Sequence, residues 1–389
     1  MKRIYMDYAA TTPVDDEVFK EMTPFFQKNY GNPASIHFFG REASKAVENA
    51  RNQVSDLIGC SPDEIVFTSG GTESDNLAIK GVAYLNKNKR SGKGYNIITC
   101  CIEHPAVLET CKHLAKQGFN VKFLPVDKYG FINPKELEES ISDDTFLVTI
   151  MFANNEIGTV EPMEEIGRIT KKHGVLLHTD AVQAVGKVPI DVNKLNIDLL
   201  SISAHKIYGP KGVGALYVRK GVKLEPLLHG GGHEKGLRSS TLNTPGIVGL
   251  GKACELGKKR FDKDTNHMKK LRDTLIKNVL KIEESYLNGH PEKRLVNNAH
   301  FRFFAIEGES LNLMLDDRGV AAATGSACSS KKLQPSHVLL GLGLKPEEAH
   351  GSIRLSIGRF STEEEVEYVC GVLPEIVQKL RDMSPLWNR

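Results

Sequence analysis

Apolar residues recur at helical spacing over residues 15–30 and 41–58. Val18, Met22, Phe25 and Phe26 would share one face of the first helix, and Ala46, Ala50, Val54 and Leu57 one face of the second. The period then changes. Short apolar runs at 65–68, 96–101, 121–124, 146–151, 175–178, 199–203 and 214–218 read as strands buried on both faces. Helical patterns at about 72–85, 104–117 and 162–173 fall between several of them. That alternation predicts an α/β fold built on a mostly parallel sheet. From Ile247 to about Ser285 the pattern becomes long-helical, with Leu250, Leu256, Phe261, Met268, Leu271, Leu275 and Val279 forming a core stripe. A smaller α+β segment follows. It ends in a helix over 361–380, where Ser361 and Glu364 have the spacing of a capping box.

A chain of 389 residues exceeds one ordinary hydrophobic core, so two domains are expected, with the boundary inside the long helical stretch. The 51 basic and 48 acidic side chains nearly balance, which gives no reason to expect nucleic acid or an anionic membrane as the main partner. No apolar run approaches the length of a signal peptide or a membrane span, so a cytoplasmic protein is expected. Seven scattered cysteines suggest neither a disulfide framework nor, without a C-x-x-C pair, a structural zinc site. Six of them read as small buried hydrophobes or unremarkable thiols. Cys328 differs, because Ala323-Thr324-Gly325-Ser326-Ala327-Cys328-Ser329-Ser330 is small and polar, the composition of an exposed loop. An accessible thiol can act as a nucleophile, although by itself it reads equally as a chance surface cysteine.

Three further segments carry candidate chemistry. In Ser203-Ala204-His205-Lys206, a lysine lies just past a buried strand and before Gly209-Pro210. Such an amine can be desolvated and form a Schiff base with an aldehyde, while the plainer alternative is a solvated loop lysine. Asp180 follows the strand at 175–178, where open α/β sheets bind ligands. It suits the ring nitrogen of a pyridine cofactor and equally suits a helix N-cap. Thr68-Ser69-Gly70-Gly71-Thr72-Glu73-Ser74 joins a strand to a helix, a setting in which backbone N–H groups can meet a phosphate.

Taken in this order, the segments resemble the NifS/IscS-type cysteine desulfurases of the class-V aminotransferase family. The resemblance also rests on Met6 to Pro13, Tyr30 to His37, Glu103-His104, Asn154 to Gly158, His178 to Gln183, Gly230 to Thr241 and Ser352 to Arg359, and it covers nearly the whole chain. It implies a fold-type-I pyridoxal-phosphate-dependent transferase. Residues 14–255 would form the large cofactor domain. Residues 1–13 and 256–389 would form the small domain, which carries a cysteine loop at about 322–335. It implies pyridoxal 5′-phosphate on Lys206, Asp180 at the ring nitrogen, Gln183 at the ring hydroxyl and His104 stacked on the ring. Gly71, Thr72, Ser203 and His205 would hold the phosphate, with Thr241 reaching it from the other subunit of a homodimer. Asn32, Asn155 and Arg354 would hold the substrate, Arg354 by its carboxylate, and Asn155 would also contact the cofactor. Lys206, Cys328 and His104 are the catalytic set.

The implied reaction converts L-cysteine to L-alanine and leaves sulfur as a persulfide on Cys328. The sulfur then passes to an iron–sulfur scaffold or another acceptor. No metal is expected beyond a transient iron–sulfur contact at Cys328. Leu333-Gln334-Pro335-Ser336-His337 after the cysteine resembles the group with the longer, mobile loop. His233 departs from the glutamine found in some relatives, and the short C-terminus leaves the docking partner open. A selenocysteine lyase, a related aminotransferase and a sulfur-trafficking platform are the alternatives.

Overall fold

The computed structural model describes residues 3–89, 94–324 and 335–387. It opens with a two-residue strand, β1 (Ile4–Tyr5). Two short helices, Asp16–Met22 and Pro24–Gln27, and the helix Phe38–Ile58 follow. The expected first helix is therefore two pieces. Pro24 has no N–H to continue the ladder and instead begins the second piece.

The next seven strands form one sheet: β2 (Ile65–Thr68), β3 (Ile97–Cys100), β4 (Val121–Leu124), β5 (Leu147–Thr149), β6 (Leu176–Asp180), β7 (Leu199–Ser203) and β8 (Gly214–Val218). Their spatial order is β2-β8-β7-β6-β5-β3-β4, and only β8 runs antiparallel to its neighbours. Helices Gly71–Leu85, Pro105–Lys116 and Met163–His173 connect the strands and cover the sheet. Two apolar clusters result. One contains Phe67, Ile98, Val148, Leu177 and Leu200, and the other Val66, Ile97, Leu147, Leu199 and Leu216. Successive residues of one strand fall into different clusters because side chains alternate across a sheet. With both faces buried, the strands read as continuous apolar runs.

The long helical stretch is two helices, Thr244–Lys259 and Phe261–Val279, separated at Arg260. Arg260 leaves the helical region (φ −101°, ψ 5°), and its guanidinium pairs with Asp15, at 2.9 Å, and with Glu17. Beyond it a third apolar cluster forms. It takes Ile4 and Met6 from the start of the chain and Met268, Phe301, Leu311, Ile353, Leu355, Val369 and Leu373 from the end. Strands β9 (Ser285–Leu287), β10 (Asn298–Phe303) and β12 (Ser352–Ser356) make an antiparallel sheet with β10 in the middle. Strand β11 (Val320–Ala321) pairs in parallel with β1. The last helix is Glu363–Asp382. Its capping box uses Thr362 and Glu365, one residue later than the sequence spacing suggested. Ser361 is buried, and its hydroxyl accepts from the Gly358 N–H instead.

Candidate active site

The C-terminal ends of β2, β3, β5, β6 and β7 converge on a cavity of about 570 Å³. Its lining includes Gly71, Thr72, His104, Asn155, Asp180, Gln183, Ser203, His205, Lys206 and Arg354, ten of the residues singled out from the sequence. This is the crevice beyond the carboxyl ends of the strands, where open α/β sheets bind ligands.

Lys206 ends a short 3-10 turn, Ala204–Lys206, directly after β7. Its ammonium donates to the carbonyls of Ala9 and Ala10 at 2.5 and 2.7 Å. Gln183 donates to the same Ala9 carbonyl at 2.9 Å. The N-terminal segment therefore forms one wall of the cavity. It is pinned there by Thr12, whose hydroxyl donates to the His205 carbonyl at 3.0 Å.

Asp180 terminates β6 and is 7% exposed. One of its oxygens accepts from the Val182 N–H at 2.9 Å. Burial pushes its carboxyl up, against the opposing pull of His104, that N–H and Lys206. Asp75 also lines the cavity. It is 1% exposed, its Oδ1 has no hydrogen-bond partner, and burial together with Asp180 pushes its carboxyl well up. Behind it His178 lies between the Thr149 hydroxyl at 2.8 Å and the Ser201 hydroxyl at 3.1 Å. Burial lowers that imidazole to about 3, so it stays neutral. Glu103 is buried too, with one oxygen accepting from the Met151 N–H at 2.6 Å and the other unpartnered.

His104 is the N-cap of helix Pro105–Lys116, and Pro105 supplies the fixed φ of its first turn. The Ala106 N–H donates to Nδ1 at 3.1 Å. Burial lowers the imidazole, so the ring is neutral with its proton on Nε2. Arg354, on β12, is 3% exposed. It donates to the Asn155 carbonyl and to the Asp7 carboxylate, each at 2.9 Å, while its Nε is buried with no partner.

These surroundings fit pyridoxal phosphate at both ends. A buried, partly unsatisfied pair of acids, Asp180 and Asp75, provides acceptors for a protonated ring nitrogen. At the other end helix Gly71–Leu85 points its N-terminus into the cavity beside Ser203 and His205. A Cβ on Gly71 would come within 2.7 Å of Val182, so only glycine leaves the backbone open there. Burial and the positive charges of Lys206, Lys211 and Lys187 lower His205 to about 4, which marks a field suited to an anion.

Two expected residues lie elsewhere. Asn32 is exposed, with its Oδ1 turned back to the Ala34 N–H at 3.0 Å, and Thr241 is exposed on the surface. Neither lines the cavity of this single chain. Cys328 falls outside the described residues. Sequence reading missed Asp75, Lys187 and the Asp7–Arg354 pair. Asp75 had one usable signal, because it follows Gly71 by four and Thr72 by three and so shares their helix face.

Fold and cavity together define a pyridoxal-phosphate enzyme of fold type I. Residues 4–369 match the model of the family Aminotransferase class-V. The chain belongs to that family, and within it to the IscS-type cysteine desulfurases. It is 56% identical over 385 residues to Cysteine desulfurase IscS of Methanosarcina thermophila, covering 99% of this chain and 94% of the relative. Among solved structures, a NifS-like protein superposes with a TM-score of 0.90 at 43% identity, covering 97% of this chain and all of the other. A structure of SspA in complex with cysteine superposes at 0.82 with 39% identity, covering 92% of this chain and all of the other. No helix of the described residues is long and apolar enough to cross a membrane.

Proposed function

We propose that this chain takes L-cysteine to L-alanine and passes the sulfur on as a persulfide of Cys328. The observation that carries the reading is the convergence of Lys206, Asp180, His104 and Arg354 on one cavity. Bound pyridoxal phosphate supplies an electron sink for the pair left at Cα when its proton departs. Asp180 would face the ring nitrogen and Gln183 the ring hydroxyl, with His104 over the ring. Gly71, Thr72, Ser203 and His205 would hold the phosphate.

Arg354 is the anchor for the substrate. Its two terminal nitrogens are already engaged, but the unpartnered Nε gains an acceptor when a carboxylate enters. Asn155 stands beside it on the cavity wall. Lys206, held near the Ala9 and Ala10 carbonyls, would in its neutral amine form be the base for the Cα proton. The Cys328 thiolate then attacks the substrate sulfur. An S–S bond forms, the Cβ–S bond breaks with its electrons left on carbon, and protonation of that carbon yields alanine. The sum is cysteine plus enzyme thiol giving alanine plus enzyme persulfide.

The persulfide would pass to an iron–sulfur scaffold or another thiol acceptor in the cytoplasm. The chain would act as a homodimer in which the partner subunit's Thr241 completes the phosphate site, consistent with its exposure here. The test is to incubate the holoenzyme and Cys328→Ala with L-cysteine and a thiol reductant, measuring sulfide and alanine. Equal amounts from the wild type, both lost in the variant, are expected. Transfer of the amino group to a 2-oxo acid would reveal an aminotransferase instead. A much higher rate with selenocysteine would reveal a lyase.

A further inference from the structure

The turn Asn154–Asn155–Glu156–Ile157 touches two functional parts at once. Its shape is fixed by the Asn154 side chain, whose Oδ1 accepts from the N–H groups of Glu156 and Ile157 at 2.9 and 3.0 Å. The Asn154 amide donates in turn to the Ile102 carbonyl at 3.0 Å. On one side the Asn155 carbonyl holds Arg354. On the other, the Glu156 carboxylate accepts from the Ser336 hydroxyl at 2.5 Å.

Ser336 is 5% exposed and stands eight residues after Cys328. Its hydroxyl oxygen also caps helix His337–Gly341, accepting from the Val338 N–H at 3.1 Å. The neighbouring His337 faces the cavity and donates from Nε2 to the Glu103 carbonyl at 3.0 Å. Two consecutive side chains thus tie this stretch to the loops that follow β3 and β5. The Glu156–Ser336 contact is buried at both partners, at 3% and 5% exposure, where hydrogen bonds to a carboxylate are at their strongest.

We propose that Glu156 and Ser336 are positioning residues, forming a clasp that sets the segment after the sulfur-accepting cysteine in register with the arginine that grips the substrate. This rests on the desulfurase reading of Cys328 and Arg354. It adds that one turn holds both the arginine that grips the substrate and Ser336, eight residues after the cysteine. Deprotonation at Cα does not use the cysteine, and Asn154 fixes the turn that holds Arg354 without Ser336, so the clasp acts chiefly on the sulfur-transfer half of the reaction. A misplacement of about 1 Å between reacting groups costs roughly a hundredfold in rate.

The experiment compares wild-type holoenzyme with Ser336→Ala and Ser336→Gly. The glycine variant separates the clasp from helix capping, since glycine replaces serine at an N-cap at a cost of only a few tenths of a kcal/mol. Two readouts are taken on each protein. One is exchange of the L-cysteine Cα proton with solvent deuterium, followed by NMR, and the other is sulfide release. Both variants should exchange within about twofold of wild type while sulfide release falls ~10-fold or more, and Ser336→Thr should restore part of the loss. Unchanged sulfide release in either variant would overturn the proposal. So would exchange and sulfide release falling together, which would mean a general loss of packing. A wild type that makes neither sulfide nor alanine would remove the desulfurase reading, and the proposal with it.

Discussion

Lys187 presents a buried amine whose charge the fold does not neutralise. It is 7% exposed, and it donates to the carbonyls of Gln183 and Lys206 at 3.2 and 3.3 Å. Among the described residues no carboxylate lies within ion-pairing distance of it. Burial, with the positive charges of Lys206 and Arg359 added, lowers it from 10.5 to about 7. In the unfolded chain the same amine holds its proton until roughly pH 10.4. Between those values the unfolded state binds more protons than the folded one, so stability rises with pH across the window. The penalty is full below the folded value, is relieved as pH climbs, and is gone above the unfolded value.

At about 1.4 kcal/mol per pH unit, the relief between about pH 6 and pH 9 comes to roughly 2.5 kcal/mol. Lys187→Met fills similar space without a charge. It also leaves two carbonyls without their donor, a pH-independent cost of about 1–3 kcal/mol each. The sign at any single pH is therefore a poor test, whereas the slope is a sharp one. Urea unfolding of the cofactor-free proteins would be followed from about pH 6 to pH 9, and the wild-type minus variant difference taken at each point. Titrating groups that do not interact with Lys187 cancel in that difference. It should rise in favour of the wild type by roughly 2.5 kcal/mol, most of it above pH 7. A difference that stays flat to within about 0.5 kcal/mol would refute the reasoning and mean that the amine reaches solvent or an anion after all.

Glu161 should show the opposite slope. Burial raises its carboxyl to about 8, so its neutral form is favoured and stability is lost as pH rises from the ordinary carboxylate range toward 8. Glu161→Gln should gain on the wild type by up to about 3 kcal/mol near neutral pH and gain nothing near pH 4, read by the same urea series. Arg354→Lys keeps the charge but cannot keep its grip on Asp7 and the Asn155 carbonyl while reaching a substrate. KM for L-cysteine should rise ~10- to 100-fold with a smaller change in kcat, and an unchanged KM would remove Arg354 as the anchor. The chain should sediment at about twice 43.0 kDa. Thr241→Val should lose cofactor on dialysis faster than wild type, and equal retention would count against a contribution from the second subunit.

The sheet was legible because most of its strands are buried on both faces and so interrupt the helical period cleanly. The runs at 65–68, 121–124, 199–203 and 214–218 coincide with strands to the residue. The failures sit where a single residue redirects the chain. Pro24 divides one helix and Arg260 another, and the second break depends on Asp15 and Glu17, more than 240 positions away. No local window contains that pair. The capping box slipped by one because Ser361 is claimed by the Gly358 N–H, a contact made by the turn before the helix. In the site, the lysine, aspartate and glycine segments were visible as departures from packing logic. Asp75 and Lys187 were not, since an acid on a helix and a lysine after a turn read as solvated until the fold buries them.

Asp75 and Lys187 lie in or beside a cavity whose two ends differ in electrostatic character. Asp75 and Asp180 are buried at one end of the cavity, with Glu103 buried nearby; Asp180 raises the cost of ionising Asp75, and both raise that of Glu103. The positive charges of Lys206, Lys211 and Lys187 all lower His205, which lies at the other end. A ligand with a cationic ring nitrogen and an anionic phosphate relieves both strains only in one orientation. Turned around, it would set the phosphate against Asp75 and Asp180 and take the ring nitrogen away from them. We propose that this charge arrangement favours a cofactor bound with its ring nitrogen toward Asp180 and its phosphate toward His205. Lys206 stands between the two ends, held by the Ala9 and Ala10 carbonyls. An aldehyde carried on a ring bound in that orientation would arrive at its amine.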